Sequence, residues 1–195
     1  MSAAPRQLVV FGGQGSGKGT QAARLAEQLD LELIGTGDVL RQMAKEDTPS
    51  GRKIAPIIQT GQLVPDDMIS GIVGRQLERL PTERGFVLEG YPRTVNQSEQ
   101  LQATLERLER TASSTVLVNL DVPRDVLQRR LLDRGRHDDT EELIEERLRL
   151  YDERTAPVLE AVASWVRVLH VDGNQPVETV TETITKQLNH VQTKA

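Results

Sequence analysis

The sequence predicts an α/β protein built on a five-stranded parallel sheet with helices on both faces. Three observations lead there. Five short apolar runs recur at residues 8–11, 31–34, 86–88, 116–120 and 166–171. Stretches of helical periodicity separate them, and that alternation builds a parallel sheet covered on both sides. A glycine-rich loop stands between the first run and the first helical pattern, which is the setting of a phosphate-binding turn. Finally, 195 residues with 37% hydrophobic and 27% charged side chains are an ordinary globular composition with length for one sizeable core. One domain over residues 1–195 is expected.

Leu8-Val9-Val10-Phe11 reads as a buried strand, and Ala22, Ala23, Leu25, Ala26 and Leu29 then keep helical spacing. Between them lies Gly12-Gly13-Gln14-Gly15-Ser16-Gly17-Lys18-Gly19-Thr20. Glycines let successive backbone N–H groups turn inward around a polyphosphate, the following helix offers its positive end, and Lys18 adds a full charge. Gly15, Ser16, Gly17, Lys18, Gly19 and Thr20 are therefore candidates for nucleotide phosphates, and the fold is expected to be of P-loop NTPase type. The run at 31–34 is a weak second strand. From Asp38 to Leu80 the helical stretches look short and broken, with Pro49, Gly51, Pro56, Gly61 and Pro65 as interruptions, so a small helical insertion is expected.

The strand at 86–88 runs into Glu89-Gly90-Tyr91-Pro92-Arg93-Thr94-Val95-Asn96-Gln97. A carboxylate at the carboxyl end of such a strand faces the crevice where open parallel sheets bind ligands. Glu89 is thus suited to hold a water of a phosphate-bound Mg2+. Arg93 offers a planar fork for a phosphate, and the Gln97 amide can give and take a hydrogen bond at an adenine edge. After the strand at 116–120, helical spacing resumes behind Pro123 over 126–132, until Asp133-Arg134-Gly135-Arg136-His137-Asp138 interrupts it. Arg130 and Arg134 fall one helical turn apart on one face, where like charges repel unless an anion joins them. Asp139 and Glu142 have capping-box spacing for a helix carrying Ile144, Arg147, Leu148 and Tyr151. Pro157 should bend or restart that helix, and Val177, Val180, Ile184 and Leu188 give the last helix a face for the sheet.

A net charge of −5 argues against non-specific binding to nucleic acid or to an anionic membrane. Without cysteine, and with only His137, His170 and His190 scattered along the chain, neither a disulfide framework nor a protein-ligated zinc is expected. No apolar run is long enough to span a bilayer, and residues 1–7 lack the regions of a signal peptide. A cytoplasmic enzyme fits.

These motifs resemble those of the nucleoside monophosphate kinases, and among them the adenylate kinases of short-lid type. The family's version of the phosphate loop carries a glycine after the lysine and the hydroxyl one place later, as in Lys18-Gly19-Thr20. Residues 86–97 resemble its apolar run followed by D-G-F-P-R-x-x-x-Q, with Glu89 in place of Asp and Tyr91 in place of Phe. Gly35-Thr36-Gly37-Asp38-Val39-Leu40-Arg41 is similar to S-T-G-D-x-L-R, with Gly35 for Ser, and Gly61-Gln62-Leu63-Val64-Pro65 to the G-x-L-V-P turn.

The resemblance implies a core, a monophosphate-binding arm at about 35–64 and a very short lid at about 133–139. Thr36, Arg41, Gln62, Leu63, Val64, Gly90, Tyr91, Pro92, Arg93, Gln97, Arg136 and Arg147 would hold AMP. Arg130, Arg134 and Gln175, the last in Val171-Asp172-Gly173-Asn174-Gln175, would lie on ATP. Lys18, Arg93, Arg134, Arg136 and Arg147 would stabilise the transferring phosphoryl group. The implied reaction is ATP + AMP giving two ADP, catalysed by a monomer, with Mg2+ bound with ATP by phosphates and waters and met by Glu89 only through water. A monophosphate acceptor suits a site without an evident base, because its second ionisation near about pH 6 already supplies an anionic oxygen. The alternatives are a UMP or CMP kinase of the same family, and a nucleotide switch with slow NTP hydrolysis. The guanine-reading N-K-x-D motif is absent from the sequence.

Overall fold

A computed structural model describes residues 7–110, 114–136 and 139–192. β1 (Gln7–Gly12) leads through the glycine loop to α1 (Lys18–Leu29) and β2 (Glu32–Gly35). Then come α2 (Thr36–Ala44), α3 (Pro49–Gln59), α4 (Asp66–Glu78), β3 (Phe86–Glu89) and α5 (Val95–Arg107). β4 (Thr115–Asp121), α6 (Arg124–Arg134) and α7 (Glu141–Leu150) follow. A π-helical turn, Tyr151–Thr155, leads to α8 (Val158–Ala163), β5 (Arg167–Asp172) and α9 (Val177–Gln192).

All strand pairs are parallel, in the order β2-β3-β1-β4-β5. Each strand lies within one residue of its apolar run. Period-two alternation sends Val9 and Phe11 of β1 to one face, where they join Leu88, Leu117, Ile72, Leu101 and Val158. Leu8 and Val10 face the other side, with Ala22 and Leu25 of α1 and Ile184 and Leu188 of α9. The edge strand β2 is the weakest, with Leu33 43% exposed, which is why its run reads faintly.

Two local expectations need correction. The segment between β2 and β3 is not a series of broken stretches, since α2, α3 and α4 have nine, eleven and thirteen residues. Pro49 opens α3 behind the Thr48 cap and Pro65 caps α4; a proline there has no helical N–H to lose. Pro56 is carried inside α3. At the start of α7 the cap is Thr140, whose hydroxyl accepts from the Leu143 N–H at 3.3 Å, and the Asp139 carboxylate is occupied elsewhere. α6 and α7 pair through Leu127, Leu131, Ile144 and Leu148.

The turn before β3 is tied by a residue that no pattern singled out. Arg110 is 3% exposed. Its guanidinium donates to the carbonyl oxygens of Leu80, Pro81 and Arg84 at 3.1, 2.8 and 2.9 Å and lies 5.6 Å from the Phe86 ring centre. That fixes the entry of the strand that carries Glu89. Among the described residues no helix is long and apolar enough to cross a membrane.

Candidate active site

The glycine loop takes its shape from backbone freedom and close packing. Gly15 has φ +87°, a left-handed value that costs any side chain energy. A Cβ there would also stand 2.8 Å from the Leu127 carbonyl oxygen of α6. The loop is therefore pressed onto the helix that carries Arg130 and Arg134. Gly17 is the left-handed N-cap of α1, and neither Gly17 nor Gly19 has a described neighbour within 4 Å of its would-be Cβ. The helix start thus opens to the cavity, with Thr20 exposed on its first turn. The Ser16 side chain is buried, and its Oγ has no hydrogen-bond partner among the described residues.

Lys18 reaches back so that its Nζ donates to the Gly13 carbonyl oxygen at 2.8 Å. Loss of water pushes its pKa down to about 8; Glu89 opposes the shift, and Arg93 and Arg134 add to it. An incoming polyphosphate would reverse that balance and hold the ammonium charged.

Glu89 ends β3 directly beside Val10 of β1, next to the start of the loop. At Gly90 (φ +81°) a Cβ would fall 2.5 Å from the Thr36 Oγ1. The Thr36 hydroxyl instead donates to the Glu89 carbonyl oxygen at 3.0 Å, so the start of α2 is fastened to the end of β3. Arg93 donates from Nε to the Gly90 carbonyl oxygen at 2.8 Å. Its four other guanidinium N–H groups have no partner among the described residues. Burial lowers the Arg93 pKa, Glu89 counters that, and the charges of Arg147 and Arg41 deepen it.

Tyr91 and Pro92 are buried behind this turn and border a 30 Å3 cavity beside Phe11 rather than the main one. The Tyr91 hydroxyl donates to the Gln97 carbonyl oxygen at 2.9 Å, and burial pushes its pKa up to about 12. Gln97 is 2% exposed and fully engaged on one side. Its Oε1 accepts from the Arg93 N–H and its Nε2 donates to Asp66 Oδ1, each at 2.7 Å.

On the arm, Arg41 pairs with Asp38 at 2.6 Å, while Gln62, Leu63 and Val64 border the cavity. The Gln62 amide donates to Glu146 Oε1 at 2.7 Å, joining the arm to α7. Asp139, expected as a helix cap, gathers the arginines. Its side chain is fully enclosed, Arg134 donates to it through two bonds of 2.8 and 2.7 Å, and Arg147 donates at 3.0 Å. The Arg136 backbone N–H adds a contact at 3.2 Å. Burial alone would raise the Asp139 pKa, but these donors hold it below the usual carboxylate range. Arg130 donates to the Gly173 carbonyl oxygen at 3.1 Å. Gln175 in the same loop is bonded to Asp172 at 2.7 Å and does not border the cavity. His137 and Asp138, within the expected lid, lie outside the described residues.

The result is a cavity of about 700 Å3 at the carboxyl ends of the central strands, bordered, among the described residues, by seven cationic side chains and two carboxylates. In a chain of net charge −5 this concentration of positive charge gives the cavity a local field that favours anions. The glycine loop and Lys18 line it, as do Thr36, Arg41 and Gln97, together with Arg93, Arg134, Arg136 and Arg147. Among the described residues no group of three or more His, Cys, Asp or Glu is arranged to hold a metal.

Comparison with known proteins agrees with this geometry. The family model described as "Adenylate kinase" matches residues 10–166. The chain is 42% identical over 175 residues to "Adenylate kinase 1" of a Nostoc species, covering 90% of this chain and 94% of that protein. It is 39% identical over 188 residues to "Adenylate kinase" of Trichodesmium erythraeum, covering 95% and 98%. It is also 41% identical over 180 residues to "Adenylate kinase" of Micrococcus luteus, covering 90% and 87%.

Proposed function

Because this chain belongs to the adenylate kinase family, we propose that it transfers the γ-phosphoryl group of ATP reversibly to AMP, giving two ADP. The observation that carries the reading is a cationic cavity lined both by the phosphate loop, taken as the ATP end, and by Thr36, Arg41 and Gln97, taken as the AMP end. A switch that hydrolyses one nucleotide has no use for the second end, and the comparisons favour neither a switch nor a UMP or CMP kinase.

In this reading the backbone of Gly15 to Thr20 and the Lys18 ammonium hold the ATP phosphates, with Arg130 and Arg134 on the same nucleotide, and Gln175, outside the cavity and bonded to Asp172, would meet it only after leaving that bond. Thr36, Arg41, Gln62, Leu63, Val64, Gly90, Arg93 and Gln97 receive AMP, and Tyr91 and Pro92 support them from behind. Residues at about 35–64 act as the monophosphate arm and those at about 133–139 as a short lid over one core. Phosphoryl transfer asks the protein for alignment and charge neutralisation more than for covalent chemistry. The AMP phosphate brings its own anionic nucleophile. Lys18, Arg93, Arg134, Arg136 and Arg147 surround the charge that spreads over the transferring oxygens, and Asp139 keeps Arg134 and Arg147 in register with each other.

Mg2+ bound with ATP would neutralise phosphate charge. The chemistry here fits a metal carried by its nucleotide, because the Glu89 carboxylate borders the cavity as an oxygen donor suited to a metal-bound water. The enzyme is proposed to act as a monomer in the cytoplasm, a compartment that suits a chain without cysteine.

A coupled assay of ADP formation from Mg-ATP tests the reading. Rapid ADP formation that requires AMP, two ADP per ATP consumed and no released phosphate, is expected. ADP formed equally without AMP, together with free phosphate, overturns it.

A further inference from the structure

Asp66 has no part in the proposed phosphate chemistry, yet it sits at the centre of a polar cluster around Gln97. It is the first residue of α4, directly after the turn that carries Gln62, Leu63 and Val64. Its Oδ1 accepts from Gln97 Nε2 at 2.7 Å, and its Oδ2 accepts from Thr94 Oγ1 and Asn96 Nδ2, each at 2.9 Å. Thr94 in turn caps α5 by accepting from the Gln97 N–H at 3.1 Å. The carboxylate is thus held by three side chains, all from the start of α5.

We propose that Asp66 is a positioning residue that fixes the orientation of the Gln97 amide and so sets a preference for a 6-amino over a 6-oxo purine in the acceptor nucleotide. An ionised carboxylate can only accept, and the backbone N–H of Arg93 can only donate. Gln97 lies between them with its NH2 on the carboxylate and its oxygen on the N–H. Turning the amide by half a revolution would set donor against donor and acceptor against acceptor, leaving two buried groups unpaired. One orientation remains. Burial would raise the Asp66 pKa, but the bonds from Asn96, Gln97 and Thr94, aided by Arg154, hold it below its ordinary value, so the carboxylate stays an acceptor at neutral pH.

In that orientation Gln97 keeps one N–H and one oxygen lone pair for a ligand, on a residue that borders the cavity. The edge of adenine offers a ring nitrogen that accepts and an amino group that donates, which a fixed amide can meet with both atoms. Hypoxanthine offers the reverse, a carbonyl that accepts and a ring N–H that donates, and would need the amide turned over. The inference rests on the proposed reading that Gln97 meets the acceptor base.

The test compares kcat/KM for AMP and for IMP in the wild type, Asp66→Asn, Asp66→Ala and Gln97→Leu, with the KM for ATP measured alongside. Asp66→Asn keeps the shape but presents an amide that can give as well as take, so only the Arg93 N–H still selects one orientation of Gln97. The ratio of AMP to IMP efficiency is expected to fall by about tenfold or more through a rise in the AMP KM, with kcat at saturation and the ATP KM within about twofold. Asp66→Ala removes the acceptor altogether and is expected to lower the ratio as well, so either variant decides if the other fails to fold. If Gln97→Leu collapses the ratio while both Asp66 variants retain it, the role of Asp66 is overturned and the reading of Gln97 stands. If no variant moves the ratio, Gln97 does not meet the base and both fail. Equal losses for AMP, IMP and ATP would reduce Asp66 to a structural part and also overturn the proposal.

Discussion

Where ATP is proposed to bind, the glycine loop supplies the cavity wall from one short stretch within residues 14–20, whose own charge is Lys18 alone. Where AMP is proposed to bind, the wall is assembled from separate side chains held by others: Thr36 of α2 by Glu89, and Gln97 of α5 by Arg93 and by Asp66, itself held by Thr94 and Asn96. Backbone N–H groups can grip any polyphosphate but cannot tell one base from another. A buried amide fixed on two sides can, because a mismatched partner leaves it unpaired. Affinity for phosphate and choice of base are therefore expected to be separable by mutation.

The largest effect should come from the loop. Lys18→Met removes its one side-chain charge, and loss of such a contact costs on the order of 10²-fold or more in kcat, while thermal unfolding stays close to wild type. Turnover within about threefold of wild type would break the contrast. Next is Gln97→Leu, which deletes the fixed amide and should raise the AMP KM by about 5- to 150-fold, the equivalent of about 1–3 kcal/mol, with little change for ATP. Equal changes for both nucleotides would make Gln97 structural.

Proton linkage sharpens the same comparison. The Lys18 pKa is lowered to about 8 in the nucleotide-free protein, so its ammonium is lost as pH rises through that value. Bound phosphates raise the pKa again. kcat/KM for ATP should therefore fall above about pH 8, approaching tenfold per pH unit, and a profile level to about pH 10 would contradict it. The lowered pKa also means the unfolded chain binds the extra proton between about 8 and the ordinary value of 10.5. Lys18 therefore makes the nucleotide-free fold relatively more stable as pH rises through that window.

The smallest catalytic effect belongs to a residue outside both ends. Arg110→Ala would strand the carbonyls of Leu80, Pro81 and Arg84 in a buried turn, lowering unfolding free energy by about 2–4 kcal/mol in a denaturant melt. Both KM values should stay near wild type; a selective change in one would tie the β3 entry turn to that end.

What was legible in the sequence follows the same division. The phosphate loop declares itself because its chemistry lies in nine consecutive residues between a strand and a helix. The arginines at 130, 134, 136 and 147 were visible as a cluster. Asp139, which holds Arg134 and Arg147 from five and eight residues away, passed for a helix cap because Asp139 and Glu142 have capping spacing. Thr140 stood next to it and took that role. Asp66 meets Gln97 across 31 residues and Arg110 meets Pro81 across 29, and no local pattern reports such meetings. The prolines misled for a related reason. Counted as breaks, Pro49 and Pro65 in fact start helices, where proline is tolerated.

The central claim is that the two ends hold two nucleotides at once. Equilibrium titration of the wild-type protein with AMP, and separately with a non-hydrolysable ATP analogue in Mg2+, tests it most directly, each repeated with the other nucleotide saturating. One equivalent of each is expected to bind, with the stoichiometry of either unchanged by the other. Mutually exclusive binding, in which saturating AMP abolishes uptake of the ATP analogue, would contradict it.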